Sequence, residues 1–301
     1  MTQLQGKVSI ETMCAAAGVS RASYYRRWAE RAPRAEESEL RDLVQRLALA
    51  NRHLGYRRIA WTIRRQGWPV NPKRIARLMR EDNLLALRKP AFRPATTDSR
   101  HGWRIWPNLA SRLVPMAVNQ LWVADITYVR LAEAFIYLAV ILDAFSRKVI
   151  GWALADHLRA ELALDALQMA LDTRSVSRGG LIHHSDRGVQ YACGDYVQRL
   201  LAAGVQPSMS RAACPYDNAM AESFMKTLKT EEVDGADYRD LADANTRIGQ
   251  FLEQVYNRQR LHSALRYQPP EEFEAAHAKH LSTAPVDRLP RPTVTTTTVP
   301  Y

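Results

Sequence analysis

Apolar residues recur along this chain with two different periods, and the change from one to the other divides it. Between Ser38 and Asn51, Leu40, Leu43, Leu47 and Ala50 fall three or four apart, which predicts an amphipathic helix. The segment from Gly55 to Arg65 keeps that period and stops at Gln66-Gly67. Asn71-Pro72 then supplies an N-cap and a proline at the first helical position. The next helix is predicted over about Lys73 to Glu81, with Ile75, Leu78 and Met79 turned inward. Ahead of these, residues 9–29 read as a shorter helical pair, with Gly18 in the turn and Ser20 as the second N-cap. Beyond Asn119 the pattern becomes that of buried strands. Leu121–Val129, Phe135–Asp143 and Val149–Leu154 are nearly continuous apolar runs, the last two joined by a turn over 144–148. A helix over Glu161–Thr173, a short strand over Leu181–Ser185, a helix over Tyr196–Ala203 ended by Gly204, and a strand over Val205–Met209 follow. Helices over Tyr216–Glu231 and Ala242–Asn257 close the series, which as a whole predicts an α/β core.

These readings divide the chain into a short helical segment (1–35), a helix-turn-helix region (36–87), a basic, Pro-rich linker (88–118), a core with C-terminal helices (119–282) and a tail (283–301). The tail has no apolar periodicity and is expected to be disordered. The second helix of each N-terminal pair is basic. It is read either as a groove-entering helix or as a packed hairpin with a solvated face.

Charge sharpens this division. The net charge is +11, and residues 1–115 hold 23 Lys and Arg against 9 Asp and Glu, a net of +14. Residues 116–301 hold 19 against 22, a net of −3. A polyanion-binding region confined to the N-terminal third is expected, because phosphate neutralisation dominates nucleic-acid affinity. The exposed basic candidates there are Arg57, Arg58, Arg64, Lys73, Arg74 and Arg77. The 47% hydrophobic content supports a packed core. Cys14, Cys193 and Cys214 form no C-x-x-C pair and point to a reducing compartment. The N-terminus reads as no secretory leader. The longest apolar stretch, Ala134 to Phe145, contains Asp143 and is too short to span a bilayer, so a cytoplasmic protein with no membrane partner is expected.

Three acids carry the candidate chemistry. Asp125 interrupts an apolar strand, Asp186 ends another just before Arg187-Gly188, and Glu222 lies on a predicted helix, with 35 residues between the last two. A carboxylate inside an apolar strand is costly unless something pairs with it. Three converging on one point call for a cation, and hard oxygen ligands select Mg²⁺ or Mn²⁺. Two such ions are the usual device for in-line phosphoryl transfer on nucleic acid. Asn218, Glu222 and Lys226 fall four apart on one helix face, which would aim Asn218 and Lys226 at the same cleft. Tyr191, Tyr216, Arg187 and Arg211 flank the acids in loops, where they are read equally as DNA contacts or as loop packing. His183 and His184 should point to opposite faces of their strand, with local hydrogen-bonding roles favoured over zinc.

The words around these acids are specific. His184-Ser185-Asp186-Arg187-Gly188-Val189-Gln190-Tyr191, Ser208-Met209-Ser210-Arg211, Tyr216-Asp217-Asn218-Ala219, Glu222-Ser223-Phe224, Thr227-Leu228-Lys229 and Tyr256-Asn257-Arg258-Gln259-Arg260-Leu261-His262-Ser263-Ala264-Leu265 follow in order. From about Gly55 to Phe273 the chain resembles the second-frame (OrfB) product of the IS-three family of bacterial insertion sequences, and its acids resemble the DDE triad of transposases and retroviral integrases. The resemblance implies a ribonuclease-H-like integrase catalytic core, a mixed five-stranded sheet with flanking helices, behind a small all-α helix-turn-helix region. It implies a DNA transposase that uses two Mg²⁺ or Mn²⁺ ions held by Asp125, Asp186 and Glu222, with Arg187, Asn218, Lys226 and Lys229 near the DNA. Implied partners are the element's terminal inverted repeats, target DNA, further copies of the chain and a first-frame (OrfA-type) protein, all on the bacterial nucleoid. A DNA-binding regulator and a ribonuclease-H-like nuclease are the competing readings. The segment Tyr256–His262 matches a family word without a mechanical role that the residues themselves give.

Overall fold

The structure is a computed structural model that describes residues 9–22, 35–84, 86, 102–131, 134–212 and 214–283. The chain divides into two compact units, Met1–Ala86 and Leu87–Tyr301. The tail beyond residue 283 and the first part of the expected linker lie outside the described residues.

In the first unit, α1 spans Ile10–Ala16, with Ser9 Oγ accepting the Thr12 N–H at its start. Gly18 takes the turn at φ +62°, and helix resumes at Arg21-Ala22; the remainder of the expected second helix falls on residues outside the described ones. Next come α2 (Ala35–Ala50), α3 (Tyr56–Arg65) and α4 (Pro72–Glu81). They close on one core made by Leu40, Val44, Ile59, Ile63, Ile75, Leu78 and Met79. The helical periodicity of the sequence marks the buried face of α4, with Ile75, Leu78 and Met79, but in α2 the buried face is Leu40, Val44 and Ala48, with Leu43 and Leu47 half-buried at its side and Ala50 exposed. Asn71 Oδ1 caps α4 by accepting the Lys73 N–H at 2.9 Å, with Pro72 at the first position, as the sequence predicts.

The second unit is built on five strands: β1 (Leu121–Arg130), β2 (Phe135–Asp143), β3 (Val149–Ala155), β4 (Ile182–Ser185) and β5 (Gln206–Met209). Their order is β3-β2-β1-β4-β5; β1–β2 and β2–β3 are antiparallel, while β1–β4 and β4–β5 are parallel. This is the mixed five-stranded sheet expected above. One face is covered by α5 (Ala160–Thr173) and by α6 (Val189–Ala192) and α7 (Gly194–Ala202), through Trp122, Ile126, Leu162, Leu167, Tyr191 and Tyr196. The other is covered by α8 (Ala219–Glu231) and α9 (Leu241–Gln250), through Val123, Val129, Phe224, Leu228, Ile248 and Phe251. Both faces are dry, which is why the strands read as continuous apolar runs rather than alternating ones. Gly151 lets α5 lie directly on β3, since a Cβ there would come within 2.1 Å of the Ala166 carbonyl oxygen. A final helix, α10 (Pro270–Thr283), follows.

Three boundaries differ from the sequence reading. The helix expected from Tyr216 begins at Ala219, because Pro215–Asn218 forms a tight 3₁₀ turn in which Asp217 bonds back to the Arg211 N–H at 2.8 Å. The helix expected over Ala242–Asn257 is α-helical only to Gln250 and then widens to a π-helical turn over Phe251–Tyr256. The described part of the 88–118 stretch is not a free tether. Trp106 packs on one sheet face, Ala110 and Leu113 pack on the other, and the Leu109 N–H donates to Ser208 Oγ at 2.8 Å.

Candidate active site

Strand register brings two of the acids together. β1 and β4 run parallel with Leu121 opposite Ile182, Trp122 opposite His183 and Val123 opposite His184. Continued two residues, that register puts Asp125 level with Asp186, which lies one residue past the end of β4, and the alternation of β1 puts Asp125 on the face that α8 covers. Neighbouring strands lie about 4.8 Å apart, so the two carboxylates are neighbours at this end of the sheet. Glu222 enters from the exposed side of the first turn of α8.

The electrostatics report the convergence. The Asp125 carboxyl is pushed up to about 8, first by burial and then by the charges of Asp186 and Glu222; the Ile126 N–H and Lys229 oppose the shift. A buried acid raised this far, with two like charges acting on it, is a candidate functional group. Asp125 Oδ1 accepts the Ile126 N–H at 2.9 Å, and Asp186 Oδ1 accepts the Gly188 N–H at 2.9 Å. With their oxygens turned to these amides, the carboxylates are splayed: among the described residues, no three His, Cys, Asp or Glu side chains are drawn together closely enough to hold a metal ion. The donor chemistry nevertheless fits a hard divalent cation, whose charge would remove the repulsion that burdens Asp125.

The basic candidates separate into groups. Lys229 reaches the cleft: its Nζ lies 3.9 Å from the centroid of the Tyr128 ring, and its charge acts on Asp125. Burial lowers its pKa, while Asp234 and Asp125 hold it up. Lys226 is exposed. Asn218 is buried rather than aimed at DNA, and its Nδ2 donates to the Ala124 carbonyl at 3.0 Å, beside Asp125. The 3₁₀ turn breaks the four-residue spacing that put Asn218 on the Glu222 face. Arg187 Nε donates to the Ser210 carbonyl at 2.7 Å. Arg211 pairs with Asp217, Tyr191 is buried, and Tyr216 stands 86% exposed.

In the first unit, Arg57, Lys73 and Arg74 are exposed and Arg58 is half-buried. Arg57 lies over the Tyr56 ring. Arg64 donates to the Val70 carbonyl at 2.9 Å and lies over Trp61, while Arg77 bridges Glu37 (2.6 Å) and Glu81 (3.0 Å). The last two therefore make contacts within the three-helix unit, which charge counting does not reveal.

Neither histidine faces outward, because both sheet faces are covered. His183 Nε2 meets the Tyr196 hydroxyl at 3.0 Å, and burial lowers its pKa to about 3, so it is neutral. His184 lies between Ser208 Oγ (2.8 Å) and Ser210 Oγ (3.1 Å). Ser210 Oγ donates to the Ser185 carbonyl and so accepts from His184 Nε2; in the neutral tautomer with that proton, Nδ1 accepts from Ser208 Oγ, which also accepts the Leu109 N–H. Sequence reasoning missed these two serines and Tyr128. Only the fact that Ser208 and Ser210 alternate on a short strand could have pointed to the pair.

The comparisons agree with this architecture. The family described as Integrase core domain matches residues 115–215, a second of the same description matches 203–270, and HTH-like domain matches 35–92. Transposase InsF for insertion sequence IS3A of Escherichia coli (strain K12) is 36% identical over 277 residues, covering 90% of this chain and 95% of that protein. The insertion element IS600 uncharacterized 31 kDa protein of Shigella sonnei is 38% identical over 268 residues, covering 87% and 97%. Among solved structures, a chain of the simian T-cell lymphotropic virus intasome aligns with a TM-score of 0.48 at 12% identity, covering 82% of this chain and 77% of that one. With an integrase core behind a helix-turn-helix unit, and with more than a third of its residues shared across nearly the whole length of InsF, the chain belongs to the IS3 family of insertion-sequence transposases and is a DNA transposase of the polynucleotidyl-transferase type.

Proposed function

We propose that this transposase cuts the ends of its insertion sequence and joins the freed 3′-hydroxyls to target DNA at the site formed by Asp125, Asp186 and Glu222. The observation that carries the reading is that Asp186, just past the end of β4, and Glu222, on α8, both act on buried Asp125 of the adjacent parallel strand β1. The three carboxylates would hold two Mg²⁺ or Mn²⁺ ions. Such ions, when bound, supply an activated oxygen nucleophile and stabilise the leaving oxygen. The chain's own contribution is placement. β1 and β4 fix two carboxylates on a rigid sheet, and α8 carries the third on a side chain that can swing. Lys229, poised over Tyr128, offers a cation to a phosphate in the cleft. In each transfer the attacking oxygen forms a P–O bond as the opposite P–O bond breaks, so no covalent protein–DNA bond is required.

The DNA partners are the element's terminal inverted repeats and a target duplex, engaged first by Arg57, Lys73 and Arg74. Because an element has two ends, at least two copies act together, and a first-frame protein is a further partner. Among the described residues no helix is long and apolar enough to cross a membrane, and we place the protein in the cytoplasm, on the nucleoid. Single-turnover cleavage of labelled element-end DNA tests the assignment. Asp125→Asn, Asp186→Asn and Glu222→Gln should each reduce cleavage by orders of magnitude, non-additively, with DNA affinity retained. Near-normal cleavage by any one of them removes that residue from the site.

A further inference from the structure

The segment Tyr256–His262, left without a role by the sequence, is folded against the back of the helix that carries Glu222. Asn257 anchors it to the sheet: its Oδ1 accepts the Val149 N–H and its Nδ2 donates to the Val149 carbonyl, both at 2.9 Å. The π-helical turn just before it shifts the chain's phase there. Arg260 is only 8% exposed and grips Glu231 with two bonds, Nε to Oε2 at 2.7 Å and Nη2 to Oε1 at 2.8 Å; Nη2 also meets Thr227 Oγ1 at 3.4 Å. Tyr256 stands edge-on to Phe224 at 4.9 Å and backs the guanidinium at 5.7 Å.

The geometry of a helix says what this grip controls. At 3.6 residues per turn, Glu231 lies about 180° around α8 from Glu222, and Thr227 about 140°. Lys229 is about 20° from Glu222, on the front, over Tyr128. The N-terminal end is pinned by Asn218 to the Ala124 carbonyl. The apolar row Ala221, Phe224, Met225 and Leu228 seats α8 on the sheet. A two-bond fork on the face opposite Glu222 adds an angular constraint, because both bonds lengthen if the helix rolls. A largely buried ion pair adds little net stability, so its contribution is geometric.

We propose that Arg260 is a positioning residue. By holding Glu231 and Thr227 it sets the roll of α8, and with it the reach of Glu222 toward the cation site shared with Asp125 and Asp186; this rests on the triad reading above. The test is Mn²⁺ binding to the full chain, followed by titration calorimetry, in wild type, Glu222→Gln, Arg260→Gln and the double variant. Arg260→Gln should weaken Mn²⁺ binding by about tenfold while far-ultraviolet circular dichroism and DNA affinity are kept. Since Arg260 acts through Glu222, the double variant should bind no more weakly than Glu222→Gln alone. Exchanging the pair, Arg260→Glu with Glu231→Arg, should recover part of the loss. If Arg260→Gln does not fold, Arg260→Lys, which keeps the charge but not the fork, takes its place in the cycle. Wild-type Mn²⁺ affinity in the Arg260 variant, or losses that simply add in the double variant, would overturn the inference. Absence of Mn²⁺ binding by the wild type would instead sink the triad reading itself.

Discussion

At the scale of single residues, Asp125 is where folding and function conflict. An aspartate in an unfolded chain titrates near 3.9, whereas in the folded protein it is raised to about 8. Between those values the native state binds the extra proton, so without metal its stability falls as pH rises and levels off above about pH 8. Asp125→Asn carries no charge at any pH. It should raise the metal-free melting temperature at pH 8, by an amount equivalent to roughly 2–5 kcal/mol, and change it little near pH 4. Saturating Mg²⁺ should reverse the order, stabilising the wild type and not the variant. Equal metal-free melting of the two proteins at pH 8 would show that Asp125 is solvated and not part of a charged cluster. The acids themselves were legible because an ionisable residue inside an apolar strand has few bland explanations. The basic residues were less so. The sequence reading named both Lys226 and Lys229; Lys226 is exposed, whereas Lys229, seven residues from Glu222, keeps its azimuth more closely and its charge acts on Asp125.

At the scale of elements, the apolar patterns pointed to all five strands, because short continuous apolar runs rich in β-branched and aromatic residues and bounded by turn residues mark strands buried on both faces. What they could not show was the start of α8 and the π-helical turn. The first depends on Asp217 bonding back to Arg211, and the second on Asn257 meeting β3 from 108 residues away; neither leaves a local period. The same limit applies to α4, where Arg74 and Arg77 look alike in sequence but only Arg77 is paired with Glu37 and Glu81. Arg74→Ala should lower the slope of log affinity against log salt by about one. Arg77→Ala should leave that slope nearly unchanged and cost at most about 1 kcal/mol of stability, as exposed pairs do. Salt titrations of DNA binding by the two variants decide it: an equal drop in slope would mean that Arg77 leaves its partners for phosphate.

At the scale of the molecule, charge and chemistry are divided along the chain. Residues 1–101 carry 21 Lys and Arg against 9 Asp and Glu, and residues 102–301 carry 21 against 22. The N-terminal part should therefore supply most of the DNA affinity with a steep salt dependence, and a fragment from Gly102 should bind weakly; equal affinities at the same salt would contradict this. Composition made that division legible, but not the docking of Trp106 and Leu109 on the core, which depends on pairings made across the fold. The central claim, that this core transfers DNA strands through metal held by Asp125, is tested most directly by Asp125→Cys in a strand-transfer assay with a pre-cut element end. A thiolate suits Mg²⁺ poorly and Mn²⁺ better. The account predicts that Asp125→Cys is inactive in Mg²⁺ and partly restored by Mn²⁺, with Asp125→Asn inactive in both. Strand transfer by Asp125→Cys at the wild-type rate in Mg²⁺ would contradict it.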